Sequence, residues 1–202
     1  MSSGDAYGDP ETRRRILEAT RELISKHGSD LRLGDVADRA GVSRQTIYLH
    51  FGDRTHLLVA LVRHMDESLD LGESLAHVRA ADNSSEAIAR TMELHSSFSA
   101  AIDSVALVLE SAQYEDEALS TAWRDRMRFR LGVHRDLVQR MADCGDLADT
   151  WTVDAAADLF YAVTLPGPWR ELTRELGWSD EQYIEGMSGF LQRALLSDTD
   201  EG

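Results

Sequence analysis

Between Leu33 and Phe51 runs the stretch LGDVADRAGVSRQTIYLHF, and its spacing leaves the backbone little choice. Val36, Ala37 and Ala40 give a short helix one apolar face, and the two alanines are small enough for a second helix to cross close by. Gly41 suits a sharp turn that needs positive φ. Val42 plugs the gap between the helices, and Ser43 is a candidate N-cap for the second one. Ile47 and Phe51, four apart, face the same small core. The pattern predicts two helices joined by a tight turn, a helix-turn-helix. A plain helical hairpin rarely combines this spacing with the residues left outside: Arg44, Gln45, Thr46, Tyr48, Leu49 and His50.

Those outward residues carry a chemistry. The second helix of such a pair lays its N-terminal residues along base edges in the DNA major groove. Arg44 can pair bidentately with guanine, Gln45 with adenine, and Thr46 can touch a thymine methyl, so these three are the expected base-reading set. Arg32, Ser43, Tyr48, His50 and Arg54 are the expected phosphate contacts, which set register and not sequence.

The rest of the chain reads as helix, and strand-type alternation is hard to find. Asp9 is a plausible cap, Pro10 fits the first helical position, and an apolar stripe follows at Ile16, Leu17, Thr20, Leu23 and Ile24, with Gly28 at the helix end. A fourth helix begins near Asp53 and carries Leu57, Leu58, Leu61, Val62 and Met65. A polar break around Ala81–Ser84 precedes a long stripe from Ile88 to Leu109, and a second long stripe runs from Leu119 to Met141. Thr152 can cap a further helix that stops before Pro166, and Ser179 with Gln182 has capping-box spacing for the last one. The expectation is an all-α chain. It comprises a tail (1–9), a three-helix DNA-binding domain (10–53), a larger helical domain (54–197) and a second tail (198–202).

Charge qualifies this picture. The net charge is −15, which at first argues against a nucleic-acid partner. Residues 1–60, however, hold nine basic and nine acidic side chains, so the whole excess of acid lies beyond them. A neutral head on an acidic body would bind DNA through geometry more than through bulk attraction. The acidic body equally reads as a surface that keeps a protein dissolved. The polar start lacks a secretory h-region, no apolar run approaches the length of a membrane span, and the single Cys144 allows no internal disulfide. A cytoplasmic protein with no membrane partner is expected, with Cys144 buried or half-buried. No spaced His/Cys cluster, phosphate-binding glycine loop or nucleophile elbow is visible. Neither an enzyme nor a metal or other cofactor is therefore expected, and no residue is assigned a catalytic or metal-binding role.

At this point VADRAGVSRQTIYLHFGDRTHLL resembles the DNA-binding signature of TetR-family transcriptional regulators, whose second motif helix ends in Tyr-x-His-Phe, here Tyr48, His50 and Phe51. The resemblance spans about residues 10–58. Two departures are Arg32, where members often have Ser or Thr as a cap, and Arg54, where members often have Lys nearby. The resemblance implies a double-stranded DNA operator as partner. It also implies a helical domain that dimerises and binds a small-molecule effector, and hence a homodimeric repressor released by its ligand. Small residues in the last two long helices (Ala155, Ala156, Ala157, Ala162, Gly186 and Gly189) suit a homodimer interface there, and equally suit packing within one chain.

An effector pocket would lie between the two central stripes, with Met92, His95, Phe98, Trp123, Met127 and Tyr161 as candidate lining; such a stripe is more often ordinary core. His95 and His134 read first as satisfied core or edge histidines. Arg124, Arg126, Arg128 and Arg130 form a basic cluster. Arg130 and His134 could meet an anionic effector, but a solvated face paired with acidic neighbours is the plainer expectation. The alternative to a regulator is a helical small-molecule sensor or interaction module without DNA binding.

Overall fold

A computed structural model describes residues 9–28, 30–114 and 116–197; the expected tails, Asp9 excepted for the first and residue 198 onward for the second, lie outside the described residues. Among them the chain forms ten α-helices and a π-helical turn, with an isolated bridge between Leu147 and Leu196 in place of any strand. The helices are α1 (Pro10–His27), α2 (Leu33–Ala40), α3 (Arg44–Phe51), α4 (Arg54–Ser68), α5 (Leu71–Arg79), α6 (Ser84–Ala112), α7 (Glu117–Cys144), α8 (Val153–Val163), α9 (Pro166–Arg170) and α10 (Asp180–Leu195). The π-helical turn is Glu171–Glu175.

Capping explains most of the boundaries. Asp9 accepts from the backbone N–H groups of Glu11 and Thr12, and Pro10 opens α1. Ser43, Asp53, Thr152 and Ser179 each accept from an N–H in the first turn of the helix that follows, and Ser179 with Gln182 closes a full capping box. Gly28 takes positive φ but with ψ −132°, so it ends α1 outside the left-handed helical basin that its position suggested.

The described chain groups into two compact units. The first joins residues up to Leu69 with Ser104–Asp125; the second holds Asp70–Asp103 and the residues from Arg126 onward. The second half of α6 and the start of α7 thus go with the helices before them in sequence, a division that does not follow the expected boundary at residue 54. The first unit is centred on Ile16, Ile24, Val36, Ile47, Leu57 and Leu61, all nearly inaccessible. The second is built around Ile88, Met92, Val138, Phe160, Tyr183 and Leu191.

Two helices escaped the sequence reading, α5 and the short α9 that begins at Pro166, where the preceding helix was expected to stop. The chain breaks at Asp70, which stands at φ 44°, ψ 45°, and α5 starts immediately after it. Cys144 also differs from expectation: it is exposed at the end of α7. Asp70 is the one non-glycine residue with positive φ among the described residues. Asp tolerates that basin better than most side chains, and a β-branched residue does not. Asp70→Gly is therefore expected to leave stability within about 0.5 kcal/mol, and Asp70→Val to lower it by about 1–2 kcal/mol. Thermal melts of both variants check this; a Val variant as stable as wild type would refute it.

Candidate functional site

In the first unit the turn between α2 and α3 is made by Gly41 at φ 66°, ψ 39°, the left-handed conformation that its place in the motif requires. Ser43 follows in extended backbone, and its Oγ accepts from the Thr46 N–H at 3.0 Å. The cap fixes where α3 starts, and burial of Ile47 and Phe51 fixes its rotation. That rotation leaves Arg44, Gln45, Tyr48 and Leu49 outside, with Tyr48 53% exposed.

Two neighbours refine this face. Arg13 of α1 lies 4.5 Å above the Phe51 ring and donates to the His50 carbonyl at 3.1 Å, so it binds the C-terminal end of α3 as a cation over an aromatic face and as a cap. The Arg44 guanidinium lies on Gly34 of α2, so close that a Cβ there would collide with it. Gly34 is thus the seat on which Arg44 rests. Thr46 is half-buried and its hydroxyl lies 2.9 Å from that of Ser43, within the cap. His50 and Arg54 are half-buried, and Arg32 is exposed at the start of α2, where it makes no side-chain cap.

The second unit forms a cavity of about 110 Å³, open to solvent on one side, between α5, α6 and α7. Apolar side chains such as Leu71, Leu75, Phe98 and Leu137 form most of its wall. Three of its polar lining residues, His95, Arg130 and His134, meet at Thr164, the residue that ends α8. Its carbonyl accepts from His95 Nε2 and from the Arg130 guanidinium. Its hydroxyl donates to the Phe160 carbonyl at 2.8 Å and lies 2.9 Å from His134 Nε2.

For a neutral ring these bonds settle the tautomer of His95. His95 Nε2 must donate to a carbonyl, so its Nδ1 accepts from Ser99 Oγ at 3.0 Å. Thr164 Oγ1 also lies 3.2 Å from the Tyr161 carbonyl, and His134 Nδ1 meets no partner among the described residues. Burial, reinforced by the nearby Arg130 charge, pulls His95 down to about 4 and His134 to about 3. Both imidazoles are neutral at physiological pH. Burial likewise lowers Arg130 to about 10, which leaves it charged, and raises the Tyr183 hydroxyl.

Residues 16–61 match the sequence model of the bacterial regulatory proteins of the tetR family. Over these residues the chain is similar to the DNA-binding segment of TetR-family regulators. The repressor LfrR of Mycolicibacterium smegmatis is 43% identical over 56 residues, which cover 28% of this chain and 29% of LfrR. The repressor KstR of Rhodococcus jostii is 41% identical over 61 residues, 30% of this chain and 29% of KstR. The chain thus matches these relatives over less than a third of their length. The regulator FadR of Bacillus subtilis, solved with stearoyl-CoA, shares the fold with a TM-score of 0.73 over 88% of this chain and 96% of its own, at 16% identity.

The residues expected to line a pocket divide. His95 and Phe98 line the cavity; Met92 is fully buried core, Trp123 belongs to the first unit, and Met127 and Tyr161 are not among the lining residues. The basic cluster on α7 divides too. Arg126 and Arg130, one turn apart, face the cavity together with His134, whereas Arg124 and Arg128 are exposed. The expected solvated face holds for only half of it. The sequence reading missed Leu71 and Leu75, although Leu71, Leu75 and Val78 have the i, i+4, i+7 spacing of an amphipathic helix. It also missed Arg13, which no local spacing reveals.

The neutral histidines set a pH dependence. Each takes up a proton on unfolding below its ordinary value of 6.5 and not in the fold until about pH 4 or 3. Their stabilisation is whole above pH 6.5 and is lost as pH falls below it, by up to about 1.4 kcal/mol per pH unit for each ring. The melting temperature is expected to drop from pH 7 to pH 5, and to drop less steeply in a His95→Gln/His134→Gln variant. Parallel curves would show the rings to be protonated in the fold.

Proposed function

We propose that this protein is a homodimeric, sequence-specific DNA-binding repressor whose grip on its operator is released by a small molecule held in the second unit. The observation that carries the reading is α3. It is capped by Ser43, held at its far end by Arg13, and turned so that Arg44, Gln45 and Tyr48 face outward from a rigid three-helix support. A helix presented in this way fits the major groove. The match of residues 16–61 to the family supports the same assignment.

In this reading Arg44, Gln45 and Thr46 read bases, and Arg32, Ser43, Tyr48, His50 and Arg54 meet phosphates. Arg44 must leave its seat on Gly34 to reach a guanine edge. Pairing of two copies through α8 and α10 is supported by the exposed Ala155, Ala162 and Gly186; Ala156 and Ala157 are already committed to the core of their own chain. The effector would favour a conformer whose two α3 helices no longer match successive major grooves, about 34–36 Å apart. The FadR structure, which holds stearoyl-CoA, supports a ligand site in a protein of this fold. Among the described residues no helix is long and apolar enough to cross a membrane.

Gel shift on DNA from upstream of the encoding gene tests the reading. Arg44→Ala is expected to weaken specific binding about tenfold or more, from the loss of a bidentate base contact. Tyr48→Phe removes one phosphate hydrogen bond and should cost about fivefold. Both variants should melt as wild type does. Unchanged affinity in both would overturn the residue assignment, and failure of the wild type to select any fragment would favour the sensor without DNA binding.

A further inference from the structure

The cavity of the second unit is electrically at odds with the chain around it. The protein carries 36 acidic and 21 basic side chains. The described lining of this cavity nevertheless includes four arginines (Arg79, Arg126, Arg130 and Arg140) and a single carboxylate, Asp136, which is itself exposed.

Arg130 is the deepest of these cations. One nitrogen of its guanidinium donates to the Thr164 carbonyl, while Nε is shut off from solvent and meets no acceptor among the described residues. It forms no ion pair among the described residues. A guanidinium has five N–H donors, and a charge withdrawn from water costs several kcal/mol unless an opposite charge faces it. The neighbouring histidines cannot supply that charge. Burial keeps both rings neutral. Tyr183, on the far side of His95, keeps its proton and likewise brings no anion.

We infer that this cavity takes a small organic acid, its carboxylate set against the Arg130 guanidinium and its apolar body against Leu71, Leu75 and Phe98. The wall chemistry supports the apolar part and the arginine-rich lining the acidic part. Size narrows the class further: a dry cavity of about 150 Å³ accepts benzene, so this one suits a one-ring or short alkyl body. The inference rests on the reading of the second unit as an effector domain, and it names the class of effector.

The full-length protein is titrated by calorimetry with three isosteres: 3-phenylpropanoate, 3-phenylpropanamide and 3-phenylpropylammonium. Octanoate and octanamide provide a second apolar body. The acid is expected to bind at least tenfold tighter than the matching amide, and the ammonium to show no binding. In Arg130→Met the acid should fall to the level of the amide, while Arg130→Lys, which keeps the charge, should keep the preference. If Arg130→Met does not fold, the wild-type series and Arg130→Lys decide. An amide or ammonium that matches the acid, an Arg130→Met variant that retains the preference, or no binding of either acid would overturn the inference.

Operator affinity is read separately in the same samples. Acid-selective binding that leaves DNA affinity unchanged supports the cavity assignment and counts against ligand-released repression. Operator release by the amide and the acid alike retains the repressor and refutes the anion.

Discussion

The carbonyl and hydroxyl of Thr164 are where three helices of the second unit are joined. They receive His95 from α6 and both Arg130 and His134 from α7, at the end of α8. All the ordered polar structure beside the cavity depends on this junction. It ties down two buried imidazoles, which burial keeps neutral, and holds a guanidinium beside the cavity while leaving part of it without an acceptor. A buried polar cluster with every member satisfied stiffens a core; one with a charge left over is poised for a ligand.

The first unit solves a different problem with simpler means. An eight-residue helix such as α3 is too short to persist alone. It is held by a cap at one end, by a guanidinium over Phe51 and against the last-turn carbonyl at the other, and by two apolar side chains beneath. None of these uses Gln45 or Tyr48, so the outward face stays available to a partner. Arg44 is the exception, since it is parked on Gly34. A glycine at that place serves to receive an arginine, a role different from the turn-forming one of Gly41.

Charge separates the two parts in function as well as in sequence. The first 60 residues are neutral and the remainder strongly acidic, so bulk attraction would add little to the DNA contacts proposed for the first unit. Within that acidic remainder, the inward arginines of α7 stand out because helical periodicity sorts them. Arg126, Arg130 and His134 recur every four residues on the cavity face, and Arg124 and Arg128 occupy another.

Sequence alone determined what depends on neighbours in the chain. The turn at Gly41, the caps at Asp9, Ser43, Thr152 and Ser179, the inward pair Ile47 and Phe51, and the all-helical class were all legible, because capping and periodicity act within one or two turns. The break at Asp70 was not: an aspartate in the left-handed basin is imposed by the packing on either side of it and carries no motif. Nor could the sequence separate Met92, which is core, from His95, which meets the cavity, though both lie on one stripe of α6. The fate of Arg130 was likewise undecided, since the expectation of a solvated arginine was reasonable for four arginines on one helix. Only the tertiary structure, by setting α5 and α8 against that helix, turned two of them toward the cavity and gave one, Arg130, a carbonyl but no carboxylate. Desolvation and pairing depend on which elements meet in space, and that is why the helix-turn-helix could be read from the chain and the cavity could not.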